Sequence, residues 1–134
     1  MADRIPLLFS LSEPRPDAVG DVQRLVRHLN AARQWATGEI EMVNDTDATS
    51  VTQADDDPIW TLGGVLWLYE ASDSSHERRQ FEDVRFLFDE LCRFSASKGE
   101  VVVEYGGEEV GSIRGGQLDE SLRAGLLAEW ERGL

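Results

Sequence analysis

The stretch Pro58–Glu70 reads PIWTLGGVLWLYE and is the most apolar and aromatic part of the chain. In an extended backbone Val65, Trp67 and Tyr69 fall on one side, and Leu66 and Leu68 on the other. Both sides are apolar, which predicts a central strand over Ile59–Glu70. The Gly63-Gly64 pair predicts a bulge or bend. The strand lies in a field of one sign. From Glu39 to Asp73 there is no Lys, Arg or His, while Glu39, Glu41, Asp45, Asp47, Asp55, Asp56, Asp57, Glu70 and Asp73 are all acids.

On the N-terminal side, Ile5–Leu11 reads as a strand with Leu7, Phe9 and Leu11 on one face. Asp17–Thr37 reads as a helix with Val19, Val22, Leu25, Val26, Leu29 and Trp35 as its apolar stripe. Pro16 suits its first turn and Gly38 its C′ position. Glu39–Val43 reads as a strand with Ile40 and Met42 inward and Glu39 and Glu41 outward. Residues 44–57 read as a loop. On the C-terminal side, Ser74–Lys98 is a second helix, with Ser74 and Glu77 at capping-box spacing. Phe81, Val84, Leu87, Phe88, Leu91 and Cys92 form its stripe, and Gly99 closes it. Glu100–Tyr105 and Glu108–Arg114 form a hairpin about Gly106-Gly107, a pair suited to positive φ. A two-residue turn sets Glu104 opposite Glu109. Gly115-Gly116 ends the hairpin, and Leu118–Arg132 reads as a final helix with Leu122, Leu126, Leu127 and Trp130 inward.

The expected fold is therefore one α+β domain over residues 1–134, with a mainly antiparallel sheet of about five strands and three helices. The order is β-α-β-β-α-β-β-α. Its first six elements match the order of a ferredoxin-like split βαβ unit. In that arrangement the helices cover one face of the sheet. The other face would carry Glu39, Glu41, Glu104 and Glu109, with either Leu66 and Leu68 or Trp67 and Tyr69 among them. An acidic face with an apolar centre reads as a binding surface.

Composition narrows the function classes. With 134 residues and 41% hydrophobic content the chain can bury a core. Acids outnumber bases 26 to 13, for a formal charge of −13. Such a surface repels nucleic acid and anionic membranes and attracts basic proteins or cations. A single cysteine, Cys92, excludes an internal disulfide framework and a multi-cysteine metal site. The start MADRIPLLFS does not read as a secretory signal, and Val65–Tyr69 is too short to span a bilayer, so a cytoplasmic protein is expected.

The residues that carry chemistry form no familiar constellation. His28 and His76 lie on the two long helices, without a nucleophile in a loop beside them. Cys92 lies mid-helix. The run Gly111-Ser112-Ile113-Arg114-Gly115-Gly116 lacks the spacing and lysine of a phosphate-binding loop and reads as hairpin geometry. Counting a calcium loop from Asp45 to Asp56 puts Ser50 where glycine is required and an Asp where the bidentate Glu belongs. No catalytic residue, metal or cofactor is assigned.

The leading expectation is a small acidic protein-binding protein, in its concrete form an immunity protein or inhibitor that masks the active site of a basic toxin or nuclease. Asp55, Asp56, Asp57, Trp60, Glu104, Glu108 and Glu109 are the residues expected to meet that partner. The alternatives are a homodimeric structural or regulatory module centred on Trp67 and Tyr69, and an enzyme of unrecognised type acting on a cationic or metal-bound substrate.

Overall fold

The computed structural model describes residues 4–47, 59–69 and 74–134. Strand β1 (Arg4–Leu11) leads through a 3₁₀ turn (Pro16–Ala18) into helix α1 (Val19–Ala32). Strands β2 (Glu41–Asp47) and β3 (Ile59–Tyr69) follow, then helix α2 (Ser74–Lys98). Strands β4 (Val101–Tyr105), β5 (Glu108–Arg114) and β6 (Gln117–Leu118) complete the sheet. A π-helical segment (Ser121–Leu127) then runs into helix α3 (Ala128–Gly133). The fold is α+β. One six-stranded sheet has the order β2-β3-β1-β4-β5-β6, and every pairing in it is antiparallel.

The core β2-β3-β1-β4 interleaves two split βαβ units, with α1 joining β1 to β2 and α2 joining β3 to β4. Alternation decides what the helices cover. Leu7, Phe9 and Leu11 on β1, Leu62, Leu66 and Leu68 on β3, and Val101 and Val103 on β4 are buried in one cluster with Val22 and Leu29 of α1 and Val84, Leu87, Phe88 and Leu91 of α2. The opposite side chains of these strands form the other face of the sheet, which is helix-free among the described residues.

Helix α2 spans the residues its periodicity predicts, and Gly99 follows it at φ +117°. Its apolar stripe is as expected, except that Cys92 is only half-buried. The same side of α2 also buries Gln80, Asp83, Glu90 and Ser95. Each is satisfied by a partner, as buried polar groups require. Gln80 accepts from the Tyr69 amide at 2.9 Å and donates to its carbonyl at 3.1 Å. Ser95 Oγ donates to the Cys92 carbonyl at 3.0 Å and accepts from Gly116 N–H at 3.0 Å.

Several sequence expectations are corrected. Helix α1 stops at Ala32, because Arg33 is extended. Trp35 is nevertheless buried: its indole folds back and donates to the Leu29 carbonyl at 3.1 Å, satisfying a helix-end acceptor. Gly38 sits in the turn beyond, not at C′ of the helix. Strand β2 begins at Glu41 and reaches Asp47, so residues 44–47 belong to the sheet. Ile40 precedes it and is held by Asn30, which bonds both its amide and its carbonyl at 2.9 Å. Gly63 and Gly64 make no bulge; β3 stays in register with both neighbours through them. The register shift falls instead between Val103 and Glu104 on β4.

The other two Gly-Gly pairs are tight turns. Gly106 and Gly107 have φ of +64° and +89°, and Gly115 and Gly116 have +58° and +85°. The second pair leads into β6, a sixth strand, where periodicity predicts the start of the final helix. Asp119 then caps that helix: Oδ1 accepts from Leu122 N–H at 2.9 Å and Oδ2 from Ser112 N–H at 2.8 Å. Asp119→Ala removes both acceptors, and we expect a loss of about 1–2 kcal/mol in a urea titration.

Candidate functional site

The helix-free face of the sheet is built around one cross-strand row. In register order it runs Glu41 on β2, Val65 on β3, Leu8 on β1, Glu104 on β4 and Glu109 on β5. Five strands at ~4.8 Å spacing make this row about 19 Å wide. Its centre is apolar and its ends are acidic. Glu104 and Glu109 lie directly opposite each other, as a two-residue turn at Gly106-Gly107 dictates. Neither has an ion-pair partner among the described residues. Like charges facing each other across a sheet cost roughly 0.2–1 kcal/mol.

Trp67 stands beside this row, two residues along β3 from Val65 and opposite Pro6. Its indole N–H donates to Glu41 Oε2 at 3.1 Å. The Arg4 guanidinium lies 4.0 Å from the ring centroid, in cation–π distance. The ring is thus held from two sides while part of it stays accessible. Of the two alternatives for the open face, Trp67 and Tyr69 share its register, and Leu66 and Leu68 are in the core. Glu39 lies outside β2 and does not belong to the row.

The expected partner residues are only partly brought together. Glu104 and Glu109 share the open face. Glu108 pairs with Tyr105 in the alternate register, next to the turn. Trp60 packs against the core, with its indole N–H on Asn44 Oδ1 at 2.7 Å. It is five residues from Val65, about 17 Å along the strand, so it is not grouped with the glutamates. Asp55, Asp56 and Asp57 lie outside the described residues, as does most of the calcium-loop count. Sequence alone places Glu41 and Trp67 on the face without assigning them to the site, and it gives no role to Leu8, Val65 or Arg4. For Leu8 and Val65 the signal is the alternation of β1 and β3.

No protein-family model, curated protein or solved structure matches this chain.

The residues with chemically capable side chains sit in ordinary surroundings. His28 Nε2 lies 3.0 Å from Glu90 Oε2, and Glu90 also accepts from Arg93 at 3.1 Å. His76 Nδ1 lies 3.3 Å from Gln80 Nε2. Burial pushes the Cys92 thiol up, and Asp89 adds to this, which disfavours the reactive thiolate. The glycine run 111–116 forms the end of β5 and the turn into β6. Among the described residues no group of three or more His, Cys, Asp or Glu could hold a metal, and no helix is long and apolar enough to cross a membrane.

Proposed function

We propose that this chain is a cytoplasmic acidic protein-binding protein that docks a basic partner on the helix-free face of its sheet. An inhibitor or immunity protein that masks the active site of a cationic toxin or nuclease is its concrete form. One observation carries the reading: Glu104 and Glu109 face each other without a counter-ion among the described residues, on the same row as the apolar pair Leu8 and Val65. The chain bears the repulsion with nothing in those residues to offset it. A lysine or arginine brought by a partner would relieve it, while Trp67 supplies an aromatic anchor of the kind that dominates interfaces. The charge of −13 would speed encounter with such a partner. A homodimer through the same face would set these carboxylates against their own copies, which weighs against that alternative.

The test exploits a divergence between stability and binding. Glu109→Lys turns the opposed pair into an attractive one, so the isolated protein should be equally stable or up to ~1 kcal/mol more stable. Binding should collapse. Wild-type bait should hold one basic protein from native lysate at moderate as well as low salt, and should abolish that protein's activity. Glu109→Lys and Trp67→Ala baits should fail to hold it, and Glu104→Gln should slow association and flatten its salt dependence. Capture that is unchanged in all three variants would place the interface elsewhere. Recovery of only salt-labile basic proteins would reduce the charge to a solubilising role.

A further inference from the structure

On the other side of the sheet, a cavity of about 380 Å³ opens between the β1/β3/β4 strand ends, α2 and the C-terminal helix. Its size falls at the small end of the range of ligand sites, ~300–1,000 Å³. The floor is apolar and fully packed from below: Leu7, Leu68 and Val84 are at most 3% exposed. Tyr105 and Trp130 line the walls, both half-buried. The Trp130 ring is fixed edge-on against Phe81, with centroids 5.4 Å apart, and its indole N–H donates to Glu77 Oε1 at 3.2 Å. That bond takes one oxygen of Glu77. No cation pairs with Glu77 among the described residues, whereas the other lining carboxylate, Glu129, is bridged by Arg132 at 2.9 Å. Among the described residues no Lys or Arg lines the cavity.

An apolar floor, aromatic walls and one carboxylate without a counter-ion select for a particular chemistry. We propose that this cavity is a binding site for a small organic monocation, a primary ammonium on an apolar body. The body lies against the half-buried Leu126, Tyr105 and Trp130 above that floor, and the ammonium pairs with Glu77. The half-buried Tyr105 phenol, pushed up by burial, stays protonated and offers its oxygen as a further acceptor from the same wall. An anion would meet Glu77 and the negative field of the chain, and a neutral molecule would leave the carboxylate unpaired. The site lies on the helix-covered side, so it is independent of the protein-docking face.

The experiment uses three probes on one phenyl body, 2-phenylethylamine, its isostere 2-phenylethanol and the anion phenylacetate, titrated into the ¹⁵N-labelled full chain. The amine should saturate and shift the Trp130 indole N–H and the amides of Leu68, Gln80 and Tyr105. It should bind at least about tenfold more tightly than the alcohol, the effect of one charge-assisted hydrogen bond. Phenylacetate should bind least. Glu77→Gln should bring the amine down to the alcohol's affinity and leave the alcohol unchanged, which also shows that the cavity is still formed. Equal binding of amine and alcohol would overturn the proposal. So would an absence of saturation at Trp130 up to about 10 mM, or shifts confined to Glu104 and Glu109, where the acidic surface alone draws the cation.

Discussion

Gly63→Ala should lose more than ~3 kcal/mol of folding stability, the upper end for overpacking a formed core. A Cβ built on Gly63 would lie 1.8 Å from the Phe9 carbonyl oxygen, 2.7 Å from Ser10 Cα and 2.8 Å from the Phe9 carbonyl carbon. All three are backbone atoms of β1, a strand at the centre of the sheet, so no rotamer change relieves the clash. Either β1 and β3 separate and break the central pairing, or the variant does not fold. Gly64→Ala tests the same neighbourhood with a softer obstacle. Its Cβ would meet the Phe9 ring at 2.6 Å and Ile40 Cγ2 at 3.2 Å, both side chains. We expect about 1–3 kcal/mol there. Gly125 is the control, because nothing among the described residues lies within 4 Å of a Cβ at that helical position. Gly125→Ala should be neutral or gain up to ~1 kcal/mol. Urea midpoints at constant m-value give all three numbers. A Gly63→Ala protein within ~1 kcal/mol of wild type would show that β1 and β3 do not approach as described.

The glycine pair also shows where sequence reading reaches its limit. Periodicity says which side of a strand a residue faces, so Leu7, Phe9, Leu66 and Leu68 are legible as alternating apolar positions. It does not say how closely a neighbouring backbone passes. Gly63 and Gly64 read as a bulge, although what they provide is close approach. Local signals are the legible ones. Helix α2 is a long apolar period without interruption, and Gly106-Gly107 determines the Glu104–Glu109 pairing through the turn alone. Non-local geometry is not written so plainly. The row from Glu41 to Glu109 depends on the register of β1 against β3 and β4, strands far apart in sequence, and alternation fixes only the face each residue takes, not which residues of that face pair. Trp35 fits the helical spacing of α1 and is buried, yet its burial comes from the indole folding back after the helix has ended. A stripe of apolar residues likewise hides the polar ones on the same side of α2, and so periodicity passes over Gln80 and Asp83.

Asp83 is the polar residue on which the second large effect rests. It is 2% exposed and holds the segment after α1 against α2: Oδ1 pairs with Arg33 at 3.0 Å and Oδ2 accepts from Ala36 N–H at 2.8 Å. The Arg33 guanidinium lies over the rings of Phe86 and Trp35 at 5.1 and 5.7 Å. Asp83→Ala would leave that cation and the Ala36 amide without their acceptor. Breaking a buried pair from one side costs about 3–5 kcal/mol, and Arg33 is still 30% exposed, so we expect roughly 2–3 kcal/mol. Asp83→Asn should cost less, about 1 kcal/mol, because an amide oxygen can still accept. The two variants also separate in pH. Burial raises the Asp83 carboxyl above the usual carboxylate range, while the Ala36 N–H and Arg33 pull the other way. A raised folded value means that the native state holds the proton more tightly than the unfolded chain. The resulting stabilisation is complete below about pH 4 and is lost as pH rises through the folded value. Wild type should therefore lose ground to Asp83→Asn between about pH 3 and pH 7, by about 1.4 kcal/mol for each tenfold difference in proton affinity between the folded and unfolded chains. Urea titrations of both proteins across that range measure the gap. A gap that widened in favour of wild type would mean that Arg33 outweighs burial, and that Asp83 acts as an ordinary ion-pair carboxylate.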